Sequence, residues 1–332
     1  METKMIEKLL TVSQIYAKGK ENIKSKGAEW SYPGGGFGPS VLASRKYLDS
    51  LFFETKFFDP VDVNTSFSVF GLKLKTPVFC SAISRTPYMD DMSISEIARG
   101  TAKSGSFIML GIGGSQELQS AIDTGAPVVK IIKPYRNTDL TYDKLREAEN
   151  RGCVAVGMDI DHFYGVQSVT GEVQRTETLA PQRTEELRQL ISQSKLPFII
   201  KGILSLVDAE KAFQLGASLI LVSNHGSGSL SFSVPSVIAL PRIVEKYGDK
   251  LTVLIDTGFE TGNDILKGLA LGARGIGFGS SMILAWAAGG STMVEMLVNQ
   301  LTAELRRTMA ATGCPNLAAI NRSIIVSLPN LV

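Results

Sequence analysis

The sequence predicts an α/β fold, a single (β/α)8 barrel of the TIM type with an N-terminal helical extension. Three observations predict it: eight short apolar runs from residue 77 onward, helical segments between them, and glycines that stop those segments.

The runs are Pro77–Cys80, Phe107–Leu110, Val128–Ile132, Cys153–Val156, Phe198–Ile200, Leu219–Val222, Thr252–Ile255 and Gly275–Phe278. Continuous aliphatic stretches suit strands covered on both faces, as in a parallel sheet. Helical spacing follows at Ser93–Ser104 (Ile94, Ile97, Ala98), Thr138–Asn150 (Leu140, Leu145, Ala148), Arg183–Gln193 (Leu187, Leu190, Ile191), Leu206–Leu215 (Val207, Ala209, Phe213) and Asp264–Leu271 (Ile265, Leu266, Leu269). Gly105, Gly125, Gly152, Gly216, Gly248 and Gly272 stand where helices should stop. Eight units at roughly 20- to 40-residue spacing favour a closed barrel over a doubly wound sheet, which shows the same alternation.

Two stretches stand outside the repeat. Residues 1–76 form an extension packed on the barrel of 77–332. It is helical to about Lys26, passes the turn Tyr32-Pro33-Gly34-Gly35-Gly36, and becomes strand-like near Phe67-Ser68-Val69-Phe70. Residues 160–182 form an insertion after the fourth strand, either a lid over the rim or a plain surface loop.

Lys and Arg number 34 against 32 Asp and Glu, a net charge of +2 without basic runs, so no nucleic-acid partner is implied. The three cysteines are Cys80, Cys153 and Cys314; they are widely spaced and form no CxxC, which suits reduced thiols and a cytoplasmic setting. Residues 1–10 lack a signal peptide's apolar core, and no apolar run approaches the ~20 residues of a membrane span. A small-molecule substrate and no metal are expected.

Candidate chemistry lies at the C-terminal ends of the strands, where barrel active sites sit. Lys201 closes the fifth run, and a lysine there needs a partner or a ligand unless it snorkels to solvent. His225, one of two histidines, lies in Ser223-Asn224-His225-Gly226-Ser227-Gly228 after the sixth run. Histidine is the usual base near neutral pH, although a lone one is often structural. Asp159 ends the fourth run and could orient an imidazole or cap a turn. His162 is a weaker candidate at the start of the insertion. Asp256-Thr257-Gly258 and Gly277-Phe278-Gly279-Ser280 end the last two units, where barrels often bind phosphate through backbone amides and a helix N-terminus.

With these residues, the segments Ile200-Lys201-Gly202-Ile203-Leu204, Val222-Ser223-Asn224-His225-Gly226 and Leu254-Ile255-Asp256-Thr257-Gly258 through Gly268–Ala273 resemble the FMN-dependent α-hydroxy acid oxidases and dehydrogenases. The likeness is strongest over 197–290 and traceable from about 65. It implies FMN at the rim of the barrel. Lys201 would stabilise negative charge on the reduced flavin, and Ser223 would contact the ring. His225 would be the base and Asp159 its partner. Ala82, Ile83, Ser84 and Lys130 would touch the flavin. Asp256, Gly258, Gly279 and Ser280 would line the ribityl-phosphate end. The resemblance also implies a homo-oligomer, typically a tetramer.

The departures concern anion clamps. Gly228 stands where the family has a carboxylate-binding arginine, and Ile160–Tyr164 supplies no second one. Phe259-Glu260-Thr261 and Ser280 replace the phosphate-end arginines, while Lys130 and Ile132 occupy the places expected for a flavin-contacting Gln and a Tyr. Arg85 and Arg136 are candidate substitute cations. The sequence therefore implies an FMN-dependent oxidoreductase of CH–OH groups whose substrate is not a simple 2-hydroxy acid. Two alternatives stand: a flavin-dependent isomerase resembling isopentenyl-diphosphate isomerase, and a catalytically inactive FMN- or phosphate-binding protein.

Overall fold

The structure is a computed structural model that describes residues 9–28, 38–86, 88–163, 166–167, 173–174 and 178–328. Its eight parallel strands are β1 (Val78–Ile83), β2 (Ile108–Leu110), β3 (Val128–Ile132), β4 (Ala155–Asp159), β5 (Phe198–Ile203), β6 (Leu219–Val222), β7 (Thr252–Asp256) and β8 (Gly275–Phe278). They pair in chain order, and β8 returns to β1 through Ile276↔Val78 to close the barrel. Each strand grows from one of the eight apolar runs. The register shifts between Cys80 and Ile83 and between Lys201 and Ile203, at the C-terminal ends where the candidate residues lie.

Alternation divides each strand between two cores. Phe79, Phe107, Met109, Val129, Ile131, Ala155, Ile199, Leu219, Leu221 and Leu254 fill the barrel, whereas Val128, Ile132, Val156, Met158, Ile200, Ile220 and Ile255 face the helices. Phe79 and Phe107 stack with centroids 4.7 Å apart, a geometry that adds about 1 kcal/mol beyond area burial. The strand-like stretch at Phe67 is an antiparallel hairpin, Phe67–Val69 with Leu72–Leu74. Phe67, Val69 and Leu74 join the interior cluster and plug the N-terminal mouth.

In the extension, α1 (Val12–Ser25) starts at a capping box of Thr11 and Gln14. A second helix, α2 (Pro39–Asp49), begins with Pro at its first turn, where the sequence reading has no helix. The five helices expected from spacing appear as α3 (Ser93–Lys103), α5 (Thr138–Arg151), α6 (Thr184–Gln193), α7 (Leu206–Gln214) and α9 (Gly262–Ala270). Three more complete the shell: α4 (Ser115–Ile122), α8 (Ser236–Tyr247) and α10 (Ser280–Ala311).

By length and composition α10 is apolar enough to cross a membrane, but it packs against α1 and α3 as a core helix, with Val294, Leu297 and Leu301 buried. Gly19 lets α1 approach it: a Cβ there would lie 2.2 Å from the Leu284 carbonyl oxygen. The turn at Tyr32–Gly36 lies outside the described residues, as do residues 164–165, 168–172 and 175–177 of the insertion. Of the insertion, Val166–Gln167 pairs with Val173–Gln174, and Leu179 bridges to Tyr135 beyond β3.

Candidate active site at the C-terminal rim

The inward phase of the strands builds the site. Two residues beyond the last interior hydrophobic of each strand (four in β4, where Gly157 intervenes), side chains still point to the barrel axis but have reached its mouth. That rule brings in Lys133 after Val129 and Ile131, Asp159 after Ala155, Lys201 after Ile199, Ser223 after Leu221 and Asp256 after Leu254. All five are buried, with exposures from 0% to 6%.

The same phase corrects Lys130. It lies one residue out of step with Val129 and Ile131, among the shell-facing Val128 and Ile132, and donates to the Gly111 carbonyl at 2.5 Å. Burial, reinforced by Lys144, pushes its pKa down to about 8. Lys133 is the lysine that enters the rim.

Lys201 is the hub. Its Nζ lies 3.2 Å from Asp159 Oδ1, 3.9 Å from Asp256 Oδ2, 3.1 Å from Ser223 Oγ and 3.0 Å from His225 Nδ1. Burial alone would lower its pKa, but Asp159 and Asp256 outweigh burial and raise it above the usual lysine range, so it is an ammonium. Lys133 Nζ holds the other oxygen of Asp159 at 2.5 Å and reaches His162 Nδ1 at 2.9 Å. Burial would raise the Asp159 pKa, yet Lys133 and Lys201 together keep it well below the ordinary carboxylate range.

His225 sits on a strained turn. Its φ is 53° and that of Ser227 is 70°, left-handed values that L residues with side chains adopt at a cost of about 1–3 kcal/mol. The extension holds this turn in place. Asn224 Nδ2 donates to Ser40 Oγ of α2 at 2.6 Å. Gly38 admits Ser227 so closely that a Cβ there would lie 2.4 Å from the Ser227 Cβ.

The pairing expected between Asp159 and His225 is present at 3.7 Å, and the loop after β4 adds a nearer carboxylate. Asp161 approaches His225 Nδ1 to 3.3 Å, nearer than Asp159 at 3.7 Å, because Asp159 is engaged by two ammoniums. Ser229 Oγ donates to Asp161 at 3.0 Å. Burial opposes ionisation of Asp161, but His225 and Lys201 lower its pKa below the usual range. His162, the weaker candidate, stacks on His225 with centroids 3.7 Å apart and planes at 21°. Burial first, then the charges of His225 and Lys133, push its pKa down to about 2, so the ring is neutral at ordinary pH.

At the opposite side, Asp256 accepts from Ser81 Oγ at 2.5 Å and from Thr257 Oγ1 at 3.0 Å. Gly258, with φ 90°, is packed under α2, and Arg45 Nη1 reaches its carbonyl at 3.4 Å. Arg45 also grips Asp264 bidentately, 2.8 Å on each arm. Asp264 in turn accepts from the amides of Glu260 and Thr261 at 3.0 Å. Gly279 caps α10 and Ser280 opens it.

Ala82, Ile83 and Ser84 lie at the end of β1, with Ile83 packed against the helical shell. Arg85 pairs with the exposed Asp91 rather than turning inward. The backbone amide of Arg136 donates to Thr178 at 2.7 Å, tying the end of the insertion to the β3 loop. Lys133, Asp161, Ser81 and Arg45 were missed as site residues in the sequence. The signal for Lys133 was present: it lies in phase with Val129 and Ile131.

Comparison with known proteins places this rim in a family. The family model described as FMN-dependent dehydrogenase matches residues 22–183 and 165–327. This chain belongs to the FMN-dependent dehydrogenase family.

It is 26% identical to a 4-hydroxymandelate oxidase of Amycolatopsis orientalis over 87% of this chain and 90% of that one. It is also 26% identical to glycolate oxidase 1 of Oryza sativa, over 95% and 90%. An L-lactate dehydrogenase of Azorhizobium caulinodans is 43% identical, over only 44% of this chain and 38% of that relative. Among solved structures, mandelate oxidase with benzoyl-formic acid matches with TM-score 0.86 and 25% identity, covering 97% of this chain and 99% of the other. An arginine-to-leucine variant of mandelate oxidase with 2-hydroxy-phenylacetamide matches with the same TM-score, identity and coverage. These relatives are flavin oxidoreductases acting on CH–OH groups, and the family's cofactor is FMN.

The rim fits that cofactor. A methyl group placed on Gly279 would make only ordinary contacts, with Ile83 at 3.8 Å and Ser81 at 4.0 Å, and the first amides of α10 beside it have no intrahelical acceptor. Asn224 Oδ1 and Ser227 Oγ are buried without a partner among the described residues. Lys201 offers an ammonium to any anionic ring edge.

Proposed function

We propose that this protein is an FMN-dependent oxidoreductase that oxidises the CH–OH group of a substrate other than a small 2-hydroxy acid. The observation that carries the reading is the cluster in which His225, Asp161, Lys201 and Asp159 meet within 3.7 Å at the mouth of the barrel.

Bound FMN would supply the acceptor for the two reducing equivalents. Ser223, Lys201 and the end of β1 would hold its ring, and the amides near Gly258, Gly279 and Ser280 its phosphate. The imidazole of His225, with Lys201, Asp161 and Asp159 around its Nδ1, would take the proton from the substrate hydroxyl. Asp161 and Asp159 then stabilise the imidazolium that forms. Lys201 spreads positive charge toward the same centre.

The substrate restriction follows from charge. Asp159, Asp161 and Asp256 bring three carboxylates to the rim, and Lys133 and Lys201 bring two ammoniums. With the imidazoles set aside, one negative charge is left over. A substrate carboxylate would enter an unfavourable field, and among the described residues no arginine pairs with these carboxylates to offset it. In the same reading the chain is cytoplasmic and forms a homo-oligomer, which light scattering checks.

The test is an absorption spectrum of purified protein followed by anaerobic bleaching with hydroxylated compounds. A flavin band that bleaches in the wild type but not in a flavin-replete His225→Ala variant supports the reading. Colourless protein that refuses added FMN removes it. Turnover without any electron acceptor would favour the isomerase alternative instead.

A further inference from the structure

His162 is a charge-neutral group inside a charged cluster, and its hydrogen bonding fixes which nitrogen carries the proton. Lys133 Nζ lies 2.9 Å from His162 Nδ1. An ammonium only donates, so Nδ1 accepts and is bare. Burial and the charges of His225 and Lys133 keep the ring from taking a second proton. The one ring proton therefore sits on Nε2.

That Nε2–H is buried and has no partner among the described residues. Buried donors are paired in nearly all proteins, so an orphan at a catalytic rim is a place for a ligand oxygen. The ring lies flat against His225, 3.7 Å away, which puts the donor beside the base.

We infer that His162, held in its Nε2–H form by Lys133, is the residue that selects the substrate: it donates to a neutral oxygen next to the carbinol. This rests on the oxidoreductase reading above and deepens it. The substrate class is then a 2-hydroxy amide, ester or ketone, in which a carbonyl replaces the carboxylate. Lys133 is spent on Asp159 at 2.5 Å and does not serve as a cationic clamp. A divalent metal on Asp159, His162 and His225 would have the right ligand spacing. However, the ammoniums of Lys133 and Lys201 already sit 2.5–3.2 Å from both carboxylate oxygens of Asp159 and from the Nδ1 atoms of His162 and His225.

Two measurements test the inference. In the first, the FMN-loaded protein is bleached anaerobically with the pairs lactamide and lactate, and mandelamide and mandelate. The wild type is expected to favour the amide at least tenfold in kcat/KM. His162→Phe, which keeps the flat ring and the stacking, is expected to lose about tenfold or more on the amide and little on the acid, the worth of one buried hydrogen bond. Protein that holds FMN but prefers the acid, or is bleached by neither pair, overturns this inference and leaves the flavin assignment standing. Protein that holds no FMN overturns the functional reading itself.

The second measurement needs no turnover. The chain has only two histidines, so ring-15N spectra assign by a single variant. His162 is expected as the neutral Nε2–H tautomer, and its proton signal should move on adding mandelamide. An Nδ1–H tautomer, or a charged ring at pH 6, overturns the inference.

Discussion

Replacing Lys133 by methionine removes one of the two cations on a fully buried carboxylate. Asp159 is 0% exposed and is held by Lys133 at 2.5 Å and Lys201 at 3.2 Å. Breaking a buried pair by removing one partner costs about 3–5 kcal/mol, because the remaining charge is left without compensation. Methionine keeps most of the stem volume, so little cavity is created. Lys201 stays on Oδ1, which places the expected loss near the lower end, about 3 kcal/mol. Asp159→Asn in the same background removes the stranded charge. The double variant should therefore be more stable than the sum of the two single losses by about 2 kcal/mol or more. Urea unfolding at pH 7, followed by circular dichroism, measures all four corners of this cycle. A Lys133→Met loss below about 1 kcal/mol, or strictly additive losses, would refute the claim that these charges depend on each other.

His162 contributes a pH dependence of definite sign. Its folded pKa is depressed to about 2 from the ordinary histidine value of 6.5, so below pH 6.5 the unfolded chain binds a proton that the folded one refuses. Stability is full above that pH and falls toward acid, by about 2–3 kcal/mol at pH 4.5; His162→Phe should remove that slope from urea titrations run beside the wild type. Arg45→Met takes the bidentate grip from Asp264 and the support from Gly258. It should cost about 2 kcal/mol in unfolding free energy and weaken FMN retention on dialysis. Gly258→Ala, at φ 90° and with Ser44 Cβ 2.7 Å from the new methyl, should destabilise by about 1–3 kcal/mol in the same assay. Gly228 has φ −68°, a conformation that accepts a side chain. Gly228→Arg should fold and shift preference toward 2-hydroxy acids, read as the ratio of kcat/KM for lactate over lactamide.

The barrel was legible in the sequence because each strand is a continuous apolar run and several helices end at glycine. Its rim was partly legible: Lys201, Ser223, His225 and Asp256 lie within three residues after their apolar runs. Lys130 was misassigned because a run apolar on both faces hides which residues point inward, and a slip of one residue exchanges the core for the shell. Lys133 and Asp161 are ordinary charged residues until β3 and β4 are set side by side. The role of α2 was invisible for another reason. Its contacts, Ser40 with Asn224 and Arg45 with Asp264, join residues 184 and 219 positions apart. Local pattern carries no trace of such pairs. The helix α10 escaped because its break at Gly289 and Gly290, where Gly290 has φ 62°, interrupts the periodicity.

FMN is expected at the rim built around Lys201, Ser223 and His225. The most direct test is to release bound chromophore from purified, FMN-reconstituted protein by denaturation and to quantify it against chain concentration. Close to one FMN per chain is expected, with a strong loss in Lys201→Met. No retained FMN after reconstitution, or full retention in every rim variant, would overturn the assignment of FMN to this rim.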